Sequence, residues 1–336
     1  MATYININGN NIPITASDPS NPIIGEIWYN TTTNLLKGRV NMTAAFSTGG
    51  TVPQAIQGGG SGGTQTAAWA AGGLQYPGDT KNKTWTYNGT TWTAANDIPA
   101  NQFIGGSTGP DSAGLLWDGI GSYGPGTATY EWDGTNWTAG GAIPAIGPGG
   151  NSYATGSGAS QTAAIAIGGI GDPPPARVTR VIDYNGTSWS AGDDTPLTTA
   201  GTAADGPTGA TWIGGGDGGP GMSTKSFEYN GSSWTASGTI GTALPQGIQC
   251  QGWGPQTSAI IAGGTSSAPT ATISQTYDGT SWATGASMSQ TRVNGAMSTQ
   301  SAGTQTGFVV GGYPPALDMT EEYQAAGPTT VSITSS

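Results

Sequence analysis

Carboxylates are the side chains whose number and spacing come nearest to chemistry in this 336-residue chain, which has 19 acidic residues, eight basic ones and no histidine. Glu131, Asp183, Glu228 and Glu322 each stand directly before an aromatic residue in a recurring motif. Acids at one position of a repeat form either a solvated edge or a ring able to hold a metal. Asp172, Asp193, Asp194, Asp205 and Asp217 lack the Asp-x-Asp-x-Asp-Gly spacing of a calcium loop and read as solvated loop carboxylates. Without histidine the usual general base, the Ser-His and Cys-His nucleophiles and most transition-metal ligation are missing. Cys250 is the single cysteine, so no disulfide can form within the chain. The expectation is a protein that is not an enzyme, with no catalytic residues, metal or cofactor.

The elements that must carry these groups are repeats. Tyr87 to Trp92, Trp132 to Trp137, Tyr184 to Trp189, Tyr229 to Trp234 and Tyr277 to Trp282 are five copies of one motif, with closing tryptophans 45, 52, 45 and 48 residues apart. Its Asn-Gly or Asp-Gly pair tolerates successive positive φ angles, which predicts a hairpin with a two-residue type I′ turn. Upstream of each hairpin an apolar run ends in a glycine pair, at 68–73, 164–169, 210–215, 259–264 and 307–312, with Leu115-Leu116-Trp117-Asp118-Gly119 as a degenerate copy. Glycine-rich stretches such as 58–63 and 147–152 are predicted to be first strands, where converging backbones leave room only for small side chains.

Six apolar runs against five hairpins leave one strand outstanding. After Gly312 the chain offers Glu321-Glu322-Tyr323 and then departs from the motif. Phe46 to Pro53 follows the template of Trp137 to Pro144, and Phe46 lies 46 residues before Trp92. An N-terminal strand completing the last sheet would remove the free edges of an open array. The predicted fold is therefore all-β, a six-bladed propeller over residues 43–325 closed by strand 43–48. Residues 1–42 form an N-terminal β-hairpin arm and 326–336 a C-terminal tail. Phe46, Trp92, Trp137, Trp189, Trp234 and Trp282 are the expected packing anchors between blades.

The glycine pair after an apolar strand, followed by Tyr and Trp on the next two strands, resembles the kelch repeat of β-propellers, whose blades are four-stranded antiparallel sheets. The Tyr-to-Trp gap is shorter than in that family, and the second glycine pair is damaged. Kelch-type copper oxidases draw on histidine ligands, so that branch does not carry over. The motif is also faintly similar to the aspartate boxes of sialidases, but Arg39, Arg177, Arg180 and Arg292 are too scattered in repeat position to form the arginine cluster those enzymes need. The wording Tyr184-Asn185-Gly186-Thr187-Ser188-Trp189, with the stretch from Pro19 to Asn34, resembles structural proteins of tailed bacteriophages. That resemblance implies a virion protein of the tail fibre, tail tip or capsid surface, made in the host bacterial cytoplasm and present as a homo-oligomer or in many copies. Its implied partners are other virion proteins and a host surface glycan. The alternative is a cellular kelch-type module for protein interaction or carbohydrate binding.

A net charge of −11 argues against nucleic acid and anionic membranes as partners. No run of about 18 apolar residues occurs, and Met1 to Asn6 do not read as a basic-then-apolar signal peptide, so none is expected. Recognition is expected where the repeats disagree, in the loops between second and third strands and in the loops entering first strands. These hold Tyr76, Lys81, Phe103, Tyr123, Arg177, Met222, Trp253, Arg292 and Tyr313. In the arm, Ile23, Ile27, Trp28 and Leu35 read as exposed attachment residues, or the segment simply pads the ring.

Overall fold

The computed structural model describes residues 12–76, 82–103, 105–117, 126–145, 153–171, 176–217, 224–241, 251–264, 272–293, 295–297, 306–313 and 317–333. Two compact units emerge, residues 1–44 with 325–336, and residues 45–324. The described residues contain no α-helix, and no helix is long and apolar enough to cross a membrane.

The smaller unit is one four-stranded sheet in the order Ile14–Thr15, Ile27–Asn30, Leu35–Met42, Gly327–Ser332, its first pair parallel and the others antiparallel. The C-terminal segment thus supplies a strand. Trp28, expected to be exposed, is fully buried, and its indole donates to Asp18 Oδ1 at 3.0 Å. Asn30 Nδ2 reaches the same oxygen at 2.7 Å, and Lys37 Nζ reaches Oδ2 at 2.7 Å. These donors, Lys37 first, hold the Asp18 carboxyl down at about 2. A depressed carboxyl contributes stability that is present above its ordinary range and is lost as pH falls toward 2. Carbon-detected NMR should therefore show Asp18 titrating near 2, with Lys37→Met moving the midpoint up; an ordinary carboxylate midpoint in the wild type would mean that the cluster does not form.

The larger unit holds six four-stranded antiparallel sheets of the kind that make propeller blades. The first is Gly60–Thr64, Ala67–Ala71, Thr84–Tyr87, Trp92–Ala94, and the second Gly106–Thr108, Gly114–Trp117, Thr129–Trp132, Trp137–Ala139. The third is Thr155–Ser160, Ala163–Ile167, Val181–Tyr184, Trp189–Ala191, and the fourth Ala203–Asp205, Trp212–Gly214, Ser226–Tyr229, Trp234–Ser237. The fifth is Gln251–Trp253, Ala259–Ala262, Ser274–Tyr277, Trp282–Thr284. The sixth joins Ala296–Met297, Thr306–Val310 and Thr320–Gln324 to Ala45–Thr48, with Phe46 opposite Tyr323 as Trp92 is opposite Tyr87. Second strands are apolar because both faces are buried; Ala68 to Ala71, Ile260 to Ala262 and Phe308 to Val310 are at most 1% exposed.

The hairpin turns differ from the two-residue type I′ expectation. Register pairs Tyr87 with Trp92, which leaves a four-residue loop. Only Gly89 has positive φ, while Asn88 Oδ1 accepts the N–H groups of Thr90 and Thr91 at 3.0 and 2.9 Å. Asp133, Asn185, Asn230 and Asp278 repeat this geometry. The side-chain oxygen closes the turn, so the second positive-φ residue is unnecessary. Two successive left-handed glycines follow the second strand: at Gly72 and Gly73 φ is 69° and 76°, and their N–H groups point to different neighbours, Lys83 O and Gln102 O. In the fourth sheet the left-handed pair is Gly215 and Gly216, one residue later than expected, because Gly214 is the last strand residue.

Each fourth-strand tryptophan reaches back to the preceding sheet. Trp137 Nε1 donates to Thr84 Oγ1 at 2.9 Å, Trp189 to Thr129 at 3.0 Å and Trp282 to Ser226 at 3.0 Å. Trp234 faces a sheet whose equivalent residue, Val181, has no hydroxyl, and it donates to Asp193 O at 2.8 Å instead. Ring contacts follow the same order, with Trp69 on Trp137, Trp117 on Trp189 and Trp212 on Trp282.

Candidate binding face

The repeated acids stitch the sheets together. Tyr184 Oη donates to Glu131 Oε1 at 2.6 Å, Tyr277 to Glu228 at 2.7 Å and Tyr87 to Glu322 at 2.6 Å. Tyr229 donates to Asp193 at 3.2 Å rather than to Asp183. Where the next sheet carries Trp132, which has no hydroxyl, the acid position is Thr86. Burial first, and then the carboxylate partner, push Tyr87, Tyr184 and Tyr277 up to about 12. A raised phenol contributes stability that is full below its ordinary value and is lost as pH climbs from there toward 12. Ultraviolet titration should show these three tyrosines ionising only as the fold melts near pH 12, with Glu131→Gln releasing Tyr184 earlier. Ordinary titration of every tyrosine in an intact fold would count against these bonds.

Several expected binding residues are structural. Trp253 lies in the first strand of the fifth sheet, fully buried against Phe46 and Tyr323. Arg292 is fully buried and paired with Glu321, 2.9 Å from it and 2% exposed. Asp205, expected in solvent, is also buried, and its Oδ2 accepts Gly254 N–H at 2.9 Å. Both aromatic and charged side chains were assigned to loops that the chain folds as strands or strand entrances, and burial follows from that.

Antiparallel order places the end of each second strand, the start of each third and the end of each fourth together. At that end Arg177, on the short strand Ala176–Arg177, is ion-paired with Asp217. Tyr313 is exposed and pairs through its backbone with Val293. Tyr76 ends the strand Leu74–Tyr76, which pairs with Ala55–Gln57, and Phe103 is half-buried. Lys81, Tyr123 and Met222, like Cys250 and Asp172, lie outside the described residues. In the smaller unit Ile23 and Leu35 are exposed, and Ile27 is half-buried.

The same end of the first sheet holds an open groove of about 630 Å³, lined by Pro53, Gln54, Lys83 to Trp85 and Ala94 to Asp97. Lys83 Nζ lies 2.6 Å from Asp97 Oδ2, both side chains being more than a third exposed. Asn96 Nδ2 donates to Thr135 O and Asn136 Oδ1 at 3.0 and 2.9 Å, which fixes its side chain against the next sheet's turn. A signal for this site was present in the sequence: Lys83, Arg180 and Lys225, three of the eight basic residues, occupy one repeat position, and Asp97 and Asp194 each stand five residues after the motif tryptophan.

No protein-family model matches the chain, and no curated protein matches it. Among solved structures, that of YjhT is similar with a TM-score of 0.60 at 15% identity, covering 85% of this chain and 97% of that one. At this identity the similarity is one of fold, an all-β arrangement of repeated sheets.

Proposed function

We propose that residues 45–324 form a closed six-bladed, kelch-like propeller whose last blade takes its fourth strand from residues 45–48, and that the chain serves without chemistry as a structural protein of a tailed-phage particle. The strand-loop end of the ring meets a host glycan or a neighbouring virion protein. The observation carrying this reading is that, among the described residues, tyrosine and carboxylate side chains bond between sheets at four boundaries, on a repeated scaffold whose loops differ in sequence at one end. First strands touch in succession, and that of the sixth sheet touches that of the first. Gly312 N–H donates to Ile56 O at 2.7 Å, as Gly73 N–H does to Gln102 O. The phage setting rests on the motif and N-terminal wording described above. Density maps and peptide mass spectrometry of purified particles should locate the chain in stoichiometric copies, and antibodies to the loop end should block adsorption or assembly. Recovery only from host cytosol would overturn the reading.

A further inference from the structure

We infer that the groove on the first sheet is a subsite for one ring of a neutral saccharide, an inference that rests on the reading of this end as the recognition face. Its volume, about 630 Å³, falls in the range of small-molecule sites and exceeds what a single ring needs. Pro53, Ala94 and Ala95 contribute apolar lining, the kind of surface on which the C–H face of a pyranose can lie. The same lining includes an ammonium, a carboxylate and two amides, from Lys83, Asp97, Asn96 and Gln54. With the Asn96 nitrogen committed to the neighbouring turn, its carbonyl oxygen is the acceptor left for a ligand.

Charge selects among ligands. Lys83 is neutralised by Asp97 at 2.6 Å, so the site has no net positive charge to hold phosphate or a carboxylated sugar, and the chain carries −11 overall. An adjacent carboxylate and ammonium instead accept from and donate to vicinal hydroxyls, which need both. Trp85 is only 3% exposed and offers no stacking platform, so a single ring should bind weakly, with a dissociation constant on the order of 1 mM.

The test is amide NMR of the full chain titrated separately with glucose, galactose, mannose, N-acetylglucosamine, sialic acid and inorganic phosphate. A neutral sugar should shift Ala94, Ala95, Asn96 and the Trp85 indole. Asp97→Asn should weaken that response about tenfold, and Ala94→Phe, which puts a bulky ring into the lining, should abolish it; retained spectral dispersion in either variant suffices as the folding control. Shifts confined to other residues of the same end would overturn the groove and leave the face reading standing. A stronger response to phosphate or sialic acid would overturn the neutral-sugar assignment. No response to any probe would overturn the groove, with the face then judged by the adsorption experiment alone.

Discussion

Arg292→Met is expected to destabilise the 45–324 unit by about 3–5 kcal/mol, because it leaves Glu321 as an unpaired charge in a dry site. Both partners are within 2% of complete burial. Arg292 Nε donates to Glu321 Oε2 at 3.0 Å, and Ser289 N–H reaches Oε1 at 2.6 Å. Burial pushes the guanidinium down from its ordinary value while Glu321 opposes that shift. The pair is not a requirement of the repeat. At the Glu321 position the other sheets carry Trp85, Tyr130, Ile182, Phe227 and Gln275, and the residues equivalent to Arg292 include Ile56, Gln102 and Thr199. Adding Glu321→Leu to Arg292→Met should therefore recover much of the loss. Recovery should remain incomplete because Arg292 Nη1 also donates to Gly311 O and Met319 O. In the first sheet Gln75 Nε2 serves the corresponding carbonyls of Gly72 and Lys83. Two carbonyls without this donor should keep a residual cost of about 1–3 kcal/mol. Urea unfolding of the three proteins gives the comparison, and a single variant as stable as the wild type would show that water reaches the pair.

What could be read from the sequence was whatever repeats locally. The apolar runs, the glycine pairs and the aromatic opposite each fourth-strand anchor are set by strand alternation and steric fit within about 50 residues, so counting residues was enough to put Phe46 across from Tyr323. Contacts between sheets were harder, because the partner of Glu131 is 53 residues away at Tyr184. Part of the rule was nonetheless written in the chain, as acid where the next sheet has Tyr184, Tyr229, Tyr277 or Tyr87 and Thr86 where it has Trp132, although Thr276 breaks it where the next sheet has Tyr323. Trp28, Trp253 and Arg292 were misassigned for a different reason. Exposure depends on what covers a residue, and a lone tryptophan or arginine beside turn residues carries no local mark of its cover. The turns failed by a subtler competition: an Asn or Asp oxygen that caps two N–H groups makes a four-residue loop as tight as the glycine-driven one.

Trp92→Ala should cost about 3–5 kcal/mol, and of the tryptophans it bears most directly on ring closure. Its ring stacks on Tyr87 at 4.7 Å and meets Phe308 edge-on at 6.0 Å, while Nε1 donates to Thr320 Oγ1 at 2.8 Å. Tyr87 belongs to the first sheet, whereas Phe308 and Thr320 belong to the sixth, and Thr320 lies 228 residues along the chain. Truncation alone would not distinguish a closing contact from burial within one sheet, since both lose apolar area. A double-mutant cycle does. Trp92→Phe removes the N–H and keeps an aromatic ring; Thr320→Val removes the hydroxyl and keeps the shape. If the first and last sheets are joined, each single change strands a buried polar partner and the double change strands none. The coupling should then be about 1 kcal/mol in favour of the pair, as should that of Trp137→Phe with Thr84→Val between the first and second sheets. Coupling at Trp137 without coupling at Trp92 would describe an open array of six sheets, and the recognition end proposed for a closed ring would lose its geometric basis.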